Sequence, residues 1–144
     1  TIEFPIKTAV SGPSAGVIGA AHIGRQCGID KIITFDMGGT SIDVSLIEDG
    51  KAQLSNDRTV EGYPARIPMI DIVTVGAGGG SIAHIDEGGA LKVGPRSAGA
   101  TPGPACYMRG GQLPCVTDAN IVLGKLNATK ILGGKMDVDR SLAE

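Results

Sequence analysis

Small and apolar positions early in the chain predict one helix followed by paired strands. Residues Ser11 to Cys27 read as a helix entered through Ser11-Gly12-Pro13, since Ser is a favoured cap and Pro is tolerated in the first turn. Gly28 fits the stop. Gly12, Gly16, Ala20 and Gly24 recur every four residues and form a stripe almost free of side chains, suited to close packing on a sheet. His22 lies off that stripe and reads as a surface or packed residue. Next, Lys31-Ile32-Ile33-Thr34-Phe35 is β-branched and apolar, and Ile42, Val44, Leu46 and Ile47 resume the pattern. Glu48-Asp49-Gly50 turns the chain back toward Lys51-Ala52-Gln53-Leu54.

Further on, Ser55 to Pro68 carries Gly62, Pro64 and Pro68 and reads as an irregular connection. Met69 to Val75 is continuous enough in apolar residues to predict a mostly buried strand. It runs into Gly76-Ala77-Gly78-Gly79-Gly80-Ser81, a run that invites a dinucleotide reading. The context opposes that reading, because a Rossmann turn opens a helix. Here Ser81–Asp86, the turn Glu87-Gly88-Gly89 and Ala90–Val93 form a hairpin pattern. The run therefore reads as a loop of backbone donors beside a ligand or as a flexible crossover. Gly94 to Pro114 is rich in Gly and Pro, fits no regular element and has the length of a functional loop. It carries Arg96 and Arg109 with Cys106 between them, and cations near a thiol would lower its pKa. Thr117-Asp118-Ala119-Asn120 starts a short helix through Leu126, in which Asp118 either caps the helix or serves an active site. Asp137 to Glu144 has the look of one more helical turn.

Composition narrows the function classes. The 144 residues suffice for one domain with a modest core. A net charge of −2 gives no electrostatic case for nucleic acid or an anionic membrane, and the 3% of aromatic residues, without Trp, offers little platform for base stacking. Apolar runs are short and broken by Gly, so no membrane span is predicted. The chain opens Thr1-Ile2-Glu3-Phe4-Pro5, without an initiator Met or a signal-peptide pattern. Cys27, Cys106 and Cys115 form no C-x-x-C pair and read as reduced thiols of a cytoplasmic protein.

The chemistry concentrates in Asp36-Met37-Gly38-Gly39-Thr40-Ser41-Ile42-Asp43. Gly38 and Gly39 let backbone approach a ligand, and their N–H groups with the hydroxyls of Thr40 and Ser41 make a donor nest for phosphate oxygens. Asp36 and Asp43 suit a polyphosphate only with Mg²⁺ or a reactive water between. An ordinary tight hairpin is the competing reading of the same residues.

Five segments, in order, resemble the hydantoinase/oxoprolinase family: Ser11–Ala21, Thr34–Ile47, Thr74–Ala83, Val93–Tyr107 and Val116–Leu126. The resemblance implies an α/β actin-like ATPase fold with RNase H-like halves closing over ATP. Residues 1–144 are then expected to be an incomplete half-domain, with a mixed sheet, a β-meander and flanking helices. Family members carry an earlier D-x-G-G-T block as well; this chain resembles only the later part, which implies a fragment of a larger subunit working with the rest of that subunit and a hydantoinase B-type subunit or domain. The resemblance assigns phosphate and Mg²⁺ contacts to Asp36, Gly38, Gly39, Thr40 and Asp43, with Asp36 as the metal ligand. It makes Gly78, Gly79, Gly80 and Ser81 second candidates for nucleotide or substrate contact; the catalytic candidates are Asp43, by positioning a water, and Asp118, for which helix capping is the alternative. Ile42 stands where many relatives have Thr, and Val73 where they have His or Asn, so no catalytic role is copied to that strand.

The reaction implied is ATP-dependent opening of a cyclic amide such as 5-oxoproline or a hydantoin. Amide resonance makes the carbonyl a poor electrophile, and phosphorylating its oxygen lets water attack. Related subunits belong to ketone carboxylases of the acetone carboxylase type, and the segments do not separate the two. A non-catalytic nucleotide-binding or assembly module is the third reading.

Overall fold

The computed structural model describes residues 8, 10–60 and 62–144; Thr1–Pro5 of the opening and Glu61 of the predicted connection lie outside them. Among the described residues the fold is mixed α/β, with antiparallel sheets and two α-helices. It divides into two compact units. One holds the chain up to Asp36 together with Asp43–Val75, the other Met37–Ile42 together with Gly76–Glu144. The division does not follow the sequence: the Gly38-Gly39 turn belongs to the second unit, although the strands on either side of it lie mainly in the first.

In the first unit, α1 (Ser11–Gln26) precedes β1 (Ile32–Met37), β2 (Ile42–Glu48) and β3 (Lys51–Ala52). The hairpin between β2 and β3 is antiparallel and turns through Asp49 and Gly50, both at positive φ. β4 (Leu54–Ser55) pairs with β7 (Met69–Ile70), and β8 (Val73–Val75) joins β2 in the sheet with β1 and β3. Val17 and Ala21 of α1 pack against Ile47 and Ile72, with Ala20, Ile32, Ala52 and Ile70 around them. Each fully buried aliphatic side chain in such a cluster contributes about 1.5–3 kcal/mol. Arg25 Nη1 donates to the Gly50 carbonyl (2.9 Å), tying the helix end to the hairpin turn.

Several sequence expectations change here. Ser11 is the first helical residue, and the cap position is Val10, in a left-handed conformation (φ 53°). Of the small-residue stripe, only Gly24 meets the close approach expected: a Cβ there would collide with the Ile32 side chain and lie 2.9 Å from the Ile29 carbonyl oxygen, whereas Gly12 and Gly16 face open space. The Ser55–Pro68 connection contains a short antiparallel hairpin, β5 (Arg58–Val60) and β6 (Tyr63–Ala65), with Gly62 between them at φ +84°. The single buried strand expected over Met69–Val75 is two short ones around buried Ile72, and Val73 is 60% exposed. Asp71 breaks the run: its N–H turns to the Gln53 carbonyl (2.9 Å) and its carbonyl accepts from Ser45 Oγ (2.7 Å).

In the second unit, β9 (Ser81–Ile85) and β10 (Leu91–Ser97) form the expected antiparallel hairpin, not a helix. Asp86 Oδ1 accepts from Gly88 N (3.0 Å) and Ala90 N (2.8 Å), fixing its turn. β10 continues past the expected end at Val93 and its register breaks between Val93 and Ser97, where Gly94 has φ +74°. α2 (Val116–Val122) is shorter than the helix expected to Leu126, since Gly124 at φ +70° ends it. β11 (Lys130–Ile131) and β12 (Met136–Asp137) pair, and the helical turn expected over Asp137–Glu144 is instead that strand end and a 3-10 turn, Arg140–Leu142, capped by Asp139 accepting from Ser141 N (2.8 Å). Cys106, Ile121 and Val138 form this unit's core. The described residues thus carry two small cores in place of the single modest one that chain length suggests.

Candidate functional site

Within the second unit the glycine run and the Gly38-Gly39 turn lie back to back. Gly38 N donates to the Ser41 carbonyl (2.9 Å) and closes the turn. The carbonyls of Gly38 and Gly39 then accept from Gly79 N (3.0 Å) and Gly80 N (2.7 Å). Only glycine permits this approach: a Cβ on Gly78 would stand 2.6 Å from Thr40 N, and one on Gly80 2.9 Å from the Gly39 oxygen. Gly78 N donates to Ser81 Oγ (2.8 Å), Ser81 N returns to the Gly78 carbonyl (3.0 Å), and Ser81 is fully buried. Every amide of Gly78–Ser81 is therefore engaged inside the protein. The run of donors that the sequence suggested for a ligand instead holds the other turn.

The outer side of that turn is different. Gly39 and Thr40 are exposed and Ser41 is half-buried. Among the described residues, no partner engages the amides of these three residues or the two hydroxyls. Five donors on these consecutive residues thus have no partner among the described residues, and unpaired donors so grouped suit an anion. The carbonyls that would repel an anion are turned into the Gly79-Gly80 amides.

Asp36 and Asp43 belong to the first unit, where both line a cavity of about 310 Å³ between α1 and the sheet, with Pro13, Gly16, Thr34 and Ile72. Thr74 Oγ1 donates to Asp43 Oδ1 (2.6 Å), which fixes one carboxylate oxygen and leaves the other available. Sequence reasoning missed Thr74; its only signal was a hydroxyl in an otherwise apolar strand.

Asp118 is 2% exposed at the start of α2. Its Oδ2 accepts from Cys115 N (3.0 Å) and Ala105 N (3.3 Å), and its Oδ1 from Cys106 N (2.9 Å). Of the two roles read from the sequence, capping is the one these bonds perform, and they also anchor the Gly94–Pro114 loop. Beside this carboxylate the Cys106 thiol is pushed up to about 12, by burial first and then by its hydrogen bond to and the charge of Asp118. Burial, then the same charge, also raises Cys115. The lowered thiol pKa that flanking cations suggested is thereby reversed. Arg109 Nη1 is occupied by the Ala100 carbonyl (3.2 Å). Among the described residues, no helix is long and apolar enough to cross a membrane.

Comparison with known proteins agrees with the segments singled out above. The chain is 49% identical over 141 residues to caprolactamase subunit alpha of Pseudomonas jessenii, covering 98% of this chain and 20% of that protein. It is 50% identical over 124 residues to a 5-oxoprolinase of Pestalotiopsis fici, covering 83% and 9%. A nucleotide-free structure of acetone carboxylase superposes with a TM-score of 0.79 at 38% identity, over 93% of this chain and 19% of that one. The chain thus spans about a fifth or less of the length of these relatives. The family model for hydantoinase/oxoprolinase matches residues 1–144, and the chain belongs to the hydantoinase/oxoprolinase family.

Proposed function

We propose that this chain supplies a phosphate-binding turn, the second of two, to an ATP-dependent enzyme of actin-like ATPase architecture that opens a cyclic amide. The observation that carries this reading is the set of unpaired donors on Gly39, Thr40 and Ser41, with Gly38 closing the turn beneath them. Backbone amides and hydroxyls fixed in advance stabilise charge developing on a transferred phosphoryl group without reorganising. ATP is the co-substrate, and its phosphoryl group activates the amide carbonyl toward water.

Asp36 lies at the end of β1, just before the turn, and its carboxylate has no hydrogen-bond or ion-pair partner among the described residues, so it is available for Mg²⁺. The described residues contain no cluster of three or more His, Cys, Asp or Glu. Mg²⁺ takes one or two carboxylates and completes its shell with phosphate and water, so Asp36 would be enough of a protein ligand for it. Asp43, held by Thr74 through one oxygen, has the second oxygen available to orient a water. The remainder of the subunit and a hydantoinase B-type partner are proposed to complete the site, in the cytoplasm.

The carboxylase reading is kept alongside because of the close superposition on acetone carboxylase. Phosphate release from ATP by the full-length protein separates the two. Stimulation by 5-oxoproline, a hydantoin or caprolactam without bicarbonate is the expected result; stimulation only by a ketone with bicarbonate assigns the carboxylase.

A further inference from the structure

We propose that Thr117 and Ser97 are positioning residues for the Gly38–Ser41 turn, acting through the backbone of Gly78–Gly80, whose amides are all engaged within the protein. The proposal rests on the phosphate-site reading above. Thr117 is 6% exposed at the first turn of α2, and both its polar groups converge on one atom: its N–H and its Oγ1 each donate to the Gly79 carbonyl at 2.8 Å. A single acceptor taking two bonds from one buried residue is held in distance and in direction. The peptide unit of that carbonyl also carries Gly80 N, which donates to the Gly39 carbonyl, and the preceding unit carries Gly79 N, which donates to the Gly38 carbonyl. The fit leaves no slack, because a Cβ on Gly79 would lie 2.8 Å from Thr117 Oγ1.

Ser97 approaches from β10. Its Oγ donates to the Gly39 carbonyl (3.4 Å) and accepts from Gly99 N (3.1 Å), while Ala98 N donates to the Gly80 carbonyl (2.8 Å). A Cβ on Gly80 would lie 2.8 Å from that hydroxyl. Thus α2 sets Gly79, β10 sets Gly80, and the two amides set where the free donors of Gly39, Thr40 and Ser41 point. Donors for a transferring phosphoryl group work only when aimed at the charge as it develops. A side chain that sets their aim affects turnover without contacting ATP.

Thr117→Val removes one of the two bonds at nearly constant volume, and Thr117→Ser keeps it. In the full-length enzyme, ATP turnover and melting temperature are measured for both, together with Ser97→Ala. Misplacement of a reacting group by about 1 Å lowers rates by roughly a hundredfold. The expected result for Thr117→Val is therefore a fall of about tenfold to a hundredfold in kcat/KM for ATP. Thr117→Ser should recover most of this loss at an unchanged melting temperature, and Ser97→Ala, losing the longer bond, should show a smaller fall. Wild-type kinetics in Thr117→Val, or a lowered melting temperature with unchanged kinetics of the folded fraction, would overturn the positioning role while leaving the phosphate site standing. If Thr117→Val does not fold, wild-type kinetics in Ser97→Ala would overturn the route through Gly39. Absence of Mg²⁺–ATP binding by the unmutated enzyme would overturn both readings together.

Discussion

At the scale of single residues, similar chemistry is put to different uses by its surroundings. Asp43 and Asp118 are both carboxylates held by hydrogen bonds. Asp118 is buried with three backbone amides on it, whereas Asp43 has one hydroxyl on one oxygen. Asp43→Asn in the full-length enzyme is expected to abolish ATP turnover with the fold retained; unchanged turnover would remove Asp43 from the chemistry. Asp118→Asn is expected instead to lower the melting temperature, because an amide cannot accept from all three backbone donors without turning its NH₂ toward one of them. The Cys106 thiol gives a pH signature. Its folded-state pKa is raised from 9.0 to about 12. The unfolded chain therefore loses the proton first as pH rises, so the stability linked to this group is complete below about pH 9 and declines toward pH 12. Chemical denaturation of the wild type and Cys106→Ala across that range should show a steeper decline in the wild type. Equal slopes would contradict the assignment.

At the scale of elements, most of what the sequence made legible was local. The Ile32–Met37 and Ile42–Glu48 strands, the hairpin of Ser81–Ile85 with Leu91–Ser97 and the helix from Ser11 follow from apolar pattern and turn residues, which act between near neighbours. The break at Asp71 was not legible, because it depends on Gln53 and Ser45, residues far away in sequence. The role of the Gly78–Gly80 run was missed for the same reason: glycines that admit a ligand and glycines that admit another backbone look identical in sequence. The Gly38–Ser41 turn itself was legible, since it forms from consecutive residues. Two glycines of α1 test how far packing overrides propensity. Gly16→Ala meets open space and should raise stability by about 0.5–1 kcal/mol. Gly24→Ala should lower it by about 1–3 kcal/mol, as the new methyl strikes Ile32 and the Ile29 carbonyl. Thermal denaturation of the two variants checks the opposite signs.

At the scale of the whole molecule, much of the apolar surface of the first unit's sheet is left exposed among the described residues. Ile33 and Phe35 alternate on β1 with half-buried Ile32 and Thr34, yet are 72% and 66% exposed. Leu46, Val73 and Val75 are exposed as well. Monomeric proteins rarely leave such patches uncovered. The 144 residues alone are expected to bind a hydrophobic dye strongly, and the full-length protein weakly; equal binding would contradict the inference that this face is covered in the larger protein. The phosphate-binding claim is tested most directly by Gly39→Ala in the full-length enzyme, with Mg²⁺–ATP affinity measured by calorimetry and folding by thermal melting. A Cβ on Gly39 meets nothing within 4 Å, and its φ is not in the left-handed region, so the fold should tolerate it. The methyl would occupy space beside the free donors, where a phosphate must approach. An unchanged melting temperature with Mg²⁺–ATP affinity lowered by about tenfold or more, equivalent to at least about 1.4 kcal/mol, is the expected result. Unchanged affinity in a folded Gly39→Ala enzyme would contradict the assignment of this turn to phosphate.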